Sequence, residues 1–168
     1  AESYSQIREE LPDSVRIVAA AKTRNADEIE AAIDAGVDII GENYVQEARK
    51  VKSKLGEKTE DVEWHMIGHL QRNKVNKALR LFDMIQSIDS PRLARAVDKR
   101  VDGCLPVLVQ INIGEEDSKY GIKPDDTLEF IRDVAEMENI SIRGLMAMEP
   151  YFDDSDRARP YFKRMKEL

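Results

Sequence analysis

The chain reads as an α/β fold built on a parallel sheet. Two observations predict this. Short apolar runs of strand length recur along the sequence, and each is followed by a stretch with helical periodicity. Six such strand–helix units succeed one another within 168 residues. An open doubly wound sheet and a closed barrel share this alternation, and periodicity does not choose between them. The unit length is about 25–28 residues, so eight units would need about 200–230, close to a closed (β/α) barrel.

The elements follow in order. Tyr4 to Leu11 is a short amphipathic stretch with Ile7 and Leu11 four apart, broken by Pro12-Asp13. Strand one runs from Arg16 to Ala21 and stops at Lys22-Thr23. Asn25 then offers an N-cap with Glu28 three residues on, a capping box, before the apolar face of Ile29, Ala32 and Ile33, and Gly36 suits the end of that helix. Strand two is Asp38-Ile39-Ile40, followed by a helix from Val45 to Leu55 whose basic residues form a solvated face. Strand three, Glu63 to Ile67, leads to Val75, Ala78, Leu79 and Phe82 at helical spacing. Strand four, Met84 to Ile88, leads to Ser90-Pro91, an N-cap with proline at the first helical position. Strand five spans Leu105 to Ile111. A charged loop from Gly114 to Gly121 follows it, then a helix bearing Leu128, Ile131, Val134 and Ala135. Strand six, Ile142 to Met148, and a last helix from Asp154 to Leu168 complete the chain.

Composition narrows the function. Lys plus Arg number 26 and Asp plus Glu 33, a net charge of −7. That balance speaks against nucleic acid as the main partner, while leaving room for a small anion in a local pocket. One cysteine, Cys104, allows no intrachain disulfide and suits a reducing compartment. No apolar run is long enough to span a bilayer. A soluble, cytoplasmic protein without a membrane partner is the expectation.

In strand-then-helix folds the functional groups gather where strands end. Those ends read Lys22-Thr23, Glu42-Asn43, His65 and His69, Ser87 and Asp89, Asn112, then Met146 and Met148. Lys22 is the organising residue: an amine held against apolar walls has its charged form disfavoured, as Schiff-base chemistry with an aldehyde needs. Polar groups and soft apolar surface around it suit a flat heteroaromatic aldehyde. Each has a plainer reading. Lys22 fits a strand-end lysine that simply reaches water, Asn43 an ordinary turn, His65 a satisfied core histidine, Ser87 a backbone hydrogen bond, Met146 a core filler. His65 and His69 are four apart, but Gly68 and the strand between them speak against a helical metal pair, and no third ligand is spaced nearby. No glycine-rich phosphate loop is present.

Several stretches, in order, carry a family pattern: Ala20-Ala21-Lys22-Thr23, Gly41-Glu42-Asn43-Tyr44-Val45-Gln46-Glu47, Trp64-His65-Met66-Ile67-Gly68 with Leu70-Gln71-Arg72-Asn73-Lys74, Lys119-Tyr120-Gly121, and Gly144-Leu145-Met146. Together they resemble the pyridoxal 5'-phosphate homeostasis proteins of the YggS/PROSC type, over nearly the whole chain. The resemblance implies a TIM-type (β/α) barrel like the N-terminal domain of alanine racemase, with six of eight strand–helix units here. Residues 1–168 would then be a single pyridoxal-phosphate-binding domain, C-terminally incomplete relative to the family. It implies that Lys22 holds pyridoxal 5'-phosphate through a Schiff base, with Asn43, His65, Ser87 and Met146 around the cofactor, and a function in buffering or delivering vitamin B6 to apo pyridoxal-phosphate enzymes without established turnover. Members continue past the position of Leu168 with a Ser-Met-Gly-Met-Ser stretch and a Val-Arg-Ile-Gly stretch on the phosphate side.

Two other classes fit a strand-end lysine. A racemase-like enzyme needs a second base on the opposite face of the cofactor. A cofactor-free aldolase needs a proton-transfer group near Lys22, for which Glu42 and Tyr44 are candidates. Lys119, in a polar loop expected to be mobile over the same face, is a candidate secondary lysine that takes the aldehyde from Lys22.

Overall fold

A computed structural model describes residues 2–168. Six strands form one sheet: β1 (Ala19–Ala20), β2 (Ile39–Glu42), β3 (Glu63–Met66), β4 (Met84–Ile88), β5 (Leu105–Ile111) and β6 (Ile140–Ala147). Every neighbouring pair is parallel, and spatial order is chain order from β1 to β6. A doubly wound sheet reverses its strand order at a switch point; this one does not, and it has the arrangement of a barrel wall left unclosed between β1 and β6. The helices are α1 (Glu2–Glu10), α2 (Ala26–Asp34), α3 (Val45–Leu55), α4 (Val75–Ala78), α5 (Pro91–Asp98), α6 (Thr127–Ala135) and α7 (Arg159–Glu167).

Local chemistry sets the element ends. The Asn25 side chain accepts from the Glu28 backbone N–H at 3.0 Å, while the Asn25 N–H donates to Glu28 Oε2 at 2.8 Å, so the capping box is complete. At α5 the Ser90 hydroxyl accepts from the Leu93 N–H at 3.3 Å, and Pro91 takes the first turn, where its missing N–H leaves nothing unpaired.

Three elements differ from the sequence expectation. Strand one is paired only over Ala19–Ala20, with Ala21 N–H adding a bond to Gly41 O at 2.8 Å, because β1 has a neighbour on one side alone. In α1 the anchor is Tyr4, whose hydroxyl donates to Gly36 O at 3.0 Å, whereas Ile7 is half exposed. The helix expected from Val75 through Phe82 is the short α4 after a 3-10 turn at Arg72–Lys74. Val75, Ala78 and Phe82 are nevertheless all buried.

The core lies between sheet and helices. In β5 the buried Val107, Val109 and Ile111 alternate with the half-buried Pro106, Leu108 and Gln110, the period-2 signature of a wall with one face under helices. Ile40, Trp64, Met66, Ile85 and Ile88 join the same cluster. Truncating a fully enclosed member removes apolar contact and leaves a cavity. Ile85→Ala is therefore expected to cost about 2–5 kcal/mol in urea unfolding. Leu128→Ala, at a position 60% exposed on α6, is expected to stay within about 0.5 kcal/mol. Equal effects at the two positions would contradict this placement of the core.

One carboxyl occupies that apolar layer. Glu42 follows Ile40 at the strand period and pairs in register with Met66, so it faces the helices. It is 0% exposed, and among the described residues neither of its oxygens has a hydrogen-bond partner. The Glu47 Oε2 atom, on the first turn of α3, is also buried and unpartnered. Burial first, and the Glu47 charge second, push Glu42 from 4.5 up to about 7; the Asn43 backbone N–H opposes them only in part. The folded protein thus binds this proton more tightly than the unfolded chain. Its stability must fall as pH rises from about 4.5 to about 7, by about 3 kcal/mol from this group, and level off above. Glu42→Gln is expected to flatten that slope in denaturant titrations between pH 4.5 and 8; an unchanged slope would mean that Glu42 is not the group responsible.

Candidate functional site

The C-terminal ends of the parallel strands meet on one face, and they bring together a subset of the residues expected there. A cavity of about 240 Å³ opens among them, with Asn43, His69, Gln110, Lys119, Tyr120 and Met148 on its walls. A more open depression of about 370 Å³ lies against α6, where its polar side chains are Lys123, Asp126, Glu129 and Asp133; none of the expected site residues lines it.

Asn43 is placed by backbone packing. A Cβ on Gly68 would stand 2.4 Å from Asn43 O, so only glycine lets the exit of β3 press this closely on the end of β2. Ser87 is fully buried and donates to Gly68 O at 2.6 Å, locking that contact from β4. The Ser87 hydroxyl thus holds the wall that positions Asn43. Lys22 stands one strand further, at the end of β1. Thr23 follows it at φ 67, a left-handed conformation uncommon for a β-branched residue, and Arg24 N–H closes the turn onto Ala21 O at 2.8 Å. The Lys22 side chain is exposed, without the apolar walls expected from sequence, and it does not line the cavity.

His65 sits deeper, 3% exposed. The Gln86 amide donates to its Nδ1 at 2.8 Å, which leaves the hydrogen on Nε2 to donate to Glu63 Oε2 at 3.1 Å. Arg16 holds the same Glu63 carboxylate at 2.9 and 3.2 Å. Burial, only partly opposed by Glu63, keeps the imidazole below its usual value. With both nitrogens engaged, His65 is part of an internal network rather than of the cavity wall. Met146 is half-buried in β6, in register with Gln110 of β5, whose Oε1 is buried with no partner among the described residues.

The loop after β5 carries more ties than its polar composition predicts. Asn112 Nδ2 donates to Glu116 O at 2.8 Å and Lys119 O at 3.4 Å, and its Oδ1 accepts from Glu116 N–H at 3.2 Å. Lys119 Nζ donates to Glu149 O at 3.2 Å and pairs with Glu116 at 3.2 Å, while Arg164 pairs with Glu115 at 2.8 Å. Gly121, at φ 127, brings the chain back against β5, where a Cβ would meet Asn112 N at 2.5 Å.

Sequence reasoning placed His69 and Asp89 at strand ends but did not join them. His69 Nδ1 lies 2.8 Å from Asp89 Oδ2, and the imidazole stacks on Tyr120 at 3.7 Å between ring centroids, 10° from parallel. Tyr120 and Gln110 were not among the expected site residues. An alternating polar position in β5 was the available signal for Gln110; the Tyr120 stack depends on a loop conformation that periodicity does not report. Among the described residues no group of three or more His, Cys, Asp or Glu could hold a metal ion, and no helix is long and apolar enough to cross a membrane.

Known proteins share the fold. The family model for the alanine racemase N-terminal domain matches residues 1–168. The pyridoxal phosphate homeostasis protein of Aquifex aeolicus is 35% identical over 156 residues, covering 91% of this chain and 68% of that protein. Its Escherichia coli K12 namesake is 41% identical over 143 residues, covering 82% and 60%. Among solved structures, PipY of Synechococcus elongatus, determined with pyridoxal phosphate bound, superposes with a TM-score of 0.89 at 30% identity, over 99% of this chain and 78% of that one. Alanine racemase of Clostridium difficile, at 15% identity and a TM-score of 0.77 over 45% of its length, shares the fold. A family model matched from end to end, and relatives this similar over most of the chain, establish that the chain belongs to the alanine racemase N-terminal domain family and groups there with the pyridoxal phosphate homeostasis proteins.

Proposed function

We propose that this chain binds pyridoxal 5'-phosphate at the strand-end face, through the amine of Lys22, and buffers or delivers it. The observation that carries the reading is the superposition on PipY, a protein solved with pyridoxal phosphate, over 99% of this chain. The chain's own residues fit the ring and the aldehyde. Lys22 supplies a primary amine at the end of β1, and Asn43 and Met148 offer one polar and one soft wall. The orphaned Gln110 Oε1 requires a hydrogen-bond donor, which a ring N–H or ring hydroxyl provides. When bound, the cofactor supplies an aldehyde that condenses reversibly with primary amines. The polypeptide anchors that aldehyde and orients the ring.

The domain meant here is residues 1–168, the cellular location the cytoplasm, and the recipients apo enzymes that use the same cofactor. Of the alternatives, the aldolase reading loses one of its acid–base candidates. Glu42 is turned into the helix layer, on the other face of the sheet from the cavity.

Two substitutions test the reading. Lys22→Ala is expected to abolish the visible absorption of the loaded protein and the borohydride-fixed mass on the peptide containing residue 22. Stability should change by less than about 0.5 kcal/mol, because the side chain is exposed. A band of equal intensity in the variant would assign the attachment to another lysine. Lys119 is the second amine at this face, half-buried and bonded to Glu149 O and Glu116. Lys119→Ala is expected to slow transfer of cofactor to an apo-enzyme acceptor at matched loading, and wild-type transfer kinetics would remove Lys119 from the delivery step.

A further inference from the structure

We propose that His69 is the proton acceptor and donor for amine exchange at this site, with Asp89 as its positioning residue. The inference rests on the cofactor reading above and adds a residue to it.

Both histidines of the chain are near strand ends, but they are built differently. His65 has a partner on each nitrogen. His69 has one: Nδ1 faces Asp89 Oδ2 at 2.8 Å, and among the described residues Nε2 has none. The Asp89 carboxylate is 8% exposed and only accepts, so the hydrogen rests on Nδ1 and the Nε2 lone pair stays open. Stacking on Tyr120 at 3.7 Å holds the ring plane, and His69 lines the same cavity as Asn43 and Lys119. A histidine with one nitrogen fixed by a carboxylate, the other free and the ring clamped beside a cavity is the arrangement of a general base.

The site has a use for one. A primary amine that displaces Lys22 arrives as an ammonium ion and must lose a proton before its nitrogen can bond to the aldehyde carbon. His69 Nε2 takes that proton. The new C–N bond forms, the two hydrogens left on the incoming nitrogen pass to the Lys22 nitrogen as its bond to the carbon breaks, and the departing Lys22 amine takes the third proton back from His69. One ammonium is consumed, one is formed, and the imidazole ends neutral, with no oxidant or reductant involved. Lys22 follows β1 and His69 follows β3, next-but-one neighbours about 10 Å apart across the sheet, so both residues stand on the strand-end face.

The test uses the full chain loaded with pyridoxal phosphate and mixed rapidly with glycine, following the absorbance of exchange at matched occupancy. His69→Phe keeps an aromatic ring against Tyr120 and is expected to slow exchange by about 100-fold or more. Added imidazole is expected to restore a large share of the rate in His69→Ala. In the unloaded chain, 15N NMR should place the hydrogen on Nδ1, and Asp89→Asn should move it to Nε2 while slowing exchange. Wild-type exchange in His69→Phe, or a slow His69→Ala that imidazole does not rescue, would overturn the proposal and leave the cofactor reading standing. A wild-type chain that takes up no pyridoxal phosphate would overturn the cofactor reading, and this inference with it.

Discussion

The site depends on one close approach, where the exit of β3 lies against the end of β2. Without a Cβ, Gly68 lets its backbone reach Asn43, and Ser87 ties the Gly68 carbonyl from β4 at 2.6 Å. Three successive strands are thereby fixed at their C-terminal ends by one glycine and one hydroxyl. His69 follows Gly68 directly, so the same contact that places Asn43 also sets where the imidazole leaves the sheet. Any side chain at Gly68 would collide with backbone atoms, which cannot rotate away as a flexible side chain would. Strand packing therefore sets one wall of the cavity, at Asn43, Gly68 and His69, and the loop after β5 supplies another with Ser118, Lys119 and Tyr120.

Strand alternation then divides two adjacent residues between two jobs. Glu42 turns into the helix layer, buried and without a hydrogen-bond partner among the described residues, while Asn43 lines the cavity on the other side. An apolar residue would fit the Glu42 surroundings better at neutral pH, because a buried carboxyl loses its hydration without gaining a partner. The protein carries a destabilising group one bond away from a site wall. Strain of a second kind stands next to Lys22, where Thr23 adopts φ 67. Such costs are characteristic of functional faces, where local stability is exchanged for placement.

Much of this was legible in the residues. The six units, the Asn25 capping box and the Ser90-Pro91 helix start all follow from patterns within a few positions of one another, and local hydrogen bonding realises them directly. The barrel wall was legible only through resemblance, since alternation alone fits two topologies. What periodicity could not give was partner choice. His65 and His69 look alike in sequence, yet one is bonded at both nitrogens by Glu63 and Gln86 and the other at one by Asp89. Those partners come from positions up to 21 residues away, and which of them face the same side is decided by register, including the irregularity in β4 between Ile85 and Ile88. Lys22 had two readings in sequence, enclosed by apolar walls or open to water, and the structure shows the second.

The polar groups of the site stand apart from Lys22. Apolar walls were the sequence-level argument for a lysine ready to react, and Lys22 does not have them. Groups that can manage protons and hydrogen bonds are instead found toward the middle of the sheet, on β2 to β5: the Asn43 amide, the His69–Asp89 pair and the unsatisfied Gln110 oxygen. Lys22 and these polar groups thus belong to different strands, with the strand-end face between them. Were Lys22 to hold the cofactor, as proposed, the hydrogen-bonding groups offered to its ring would come from Asn43, His69 and Gln110.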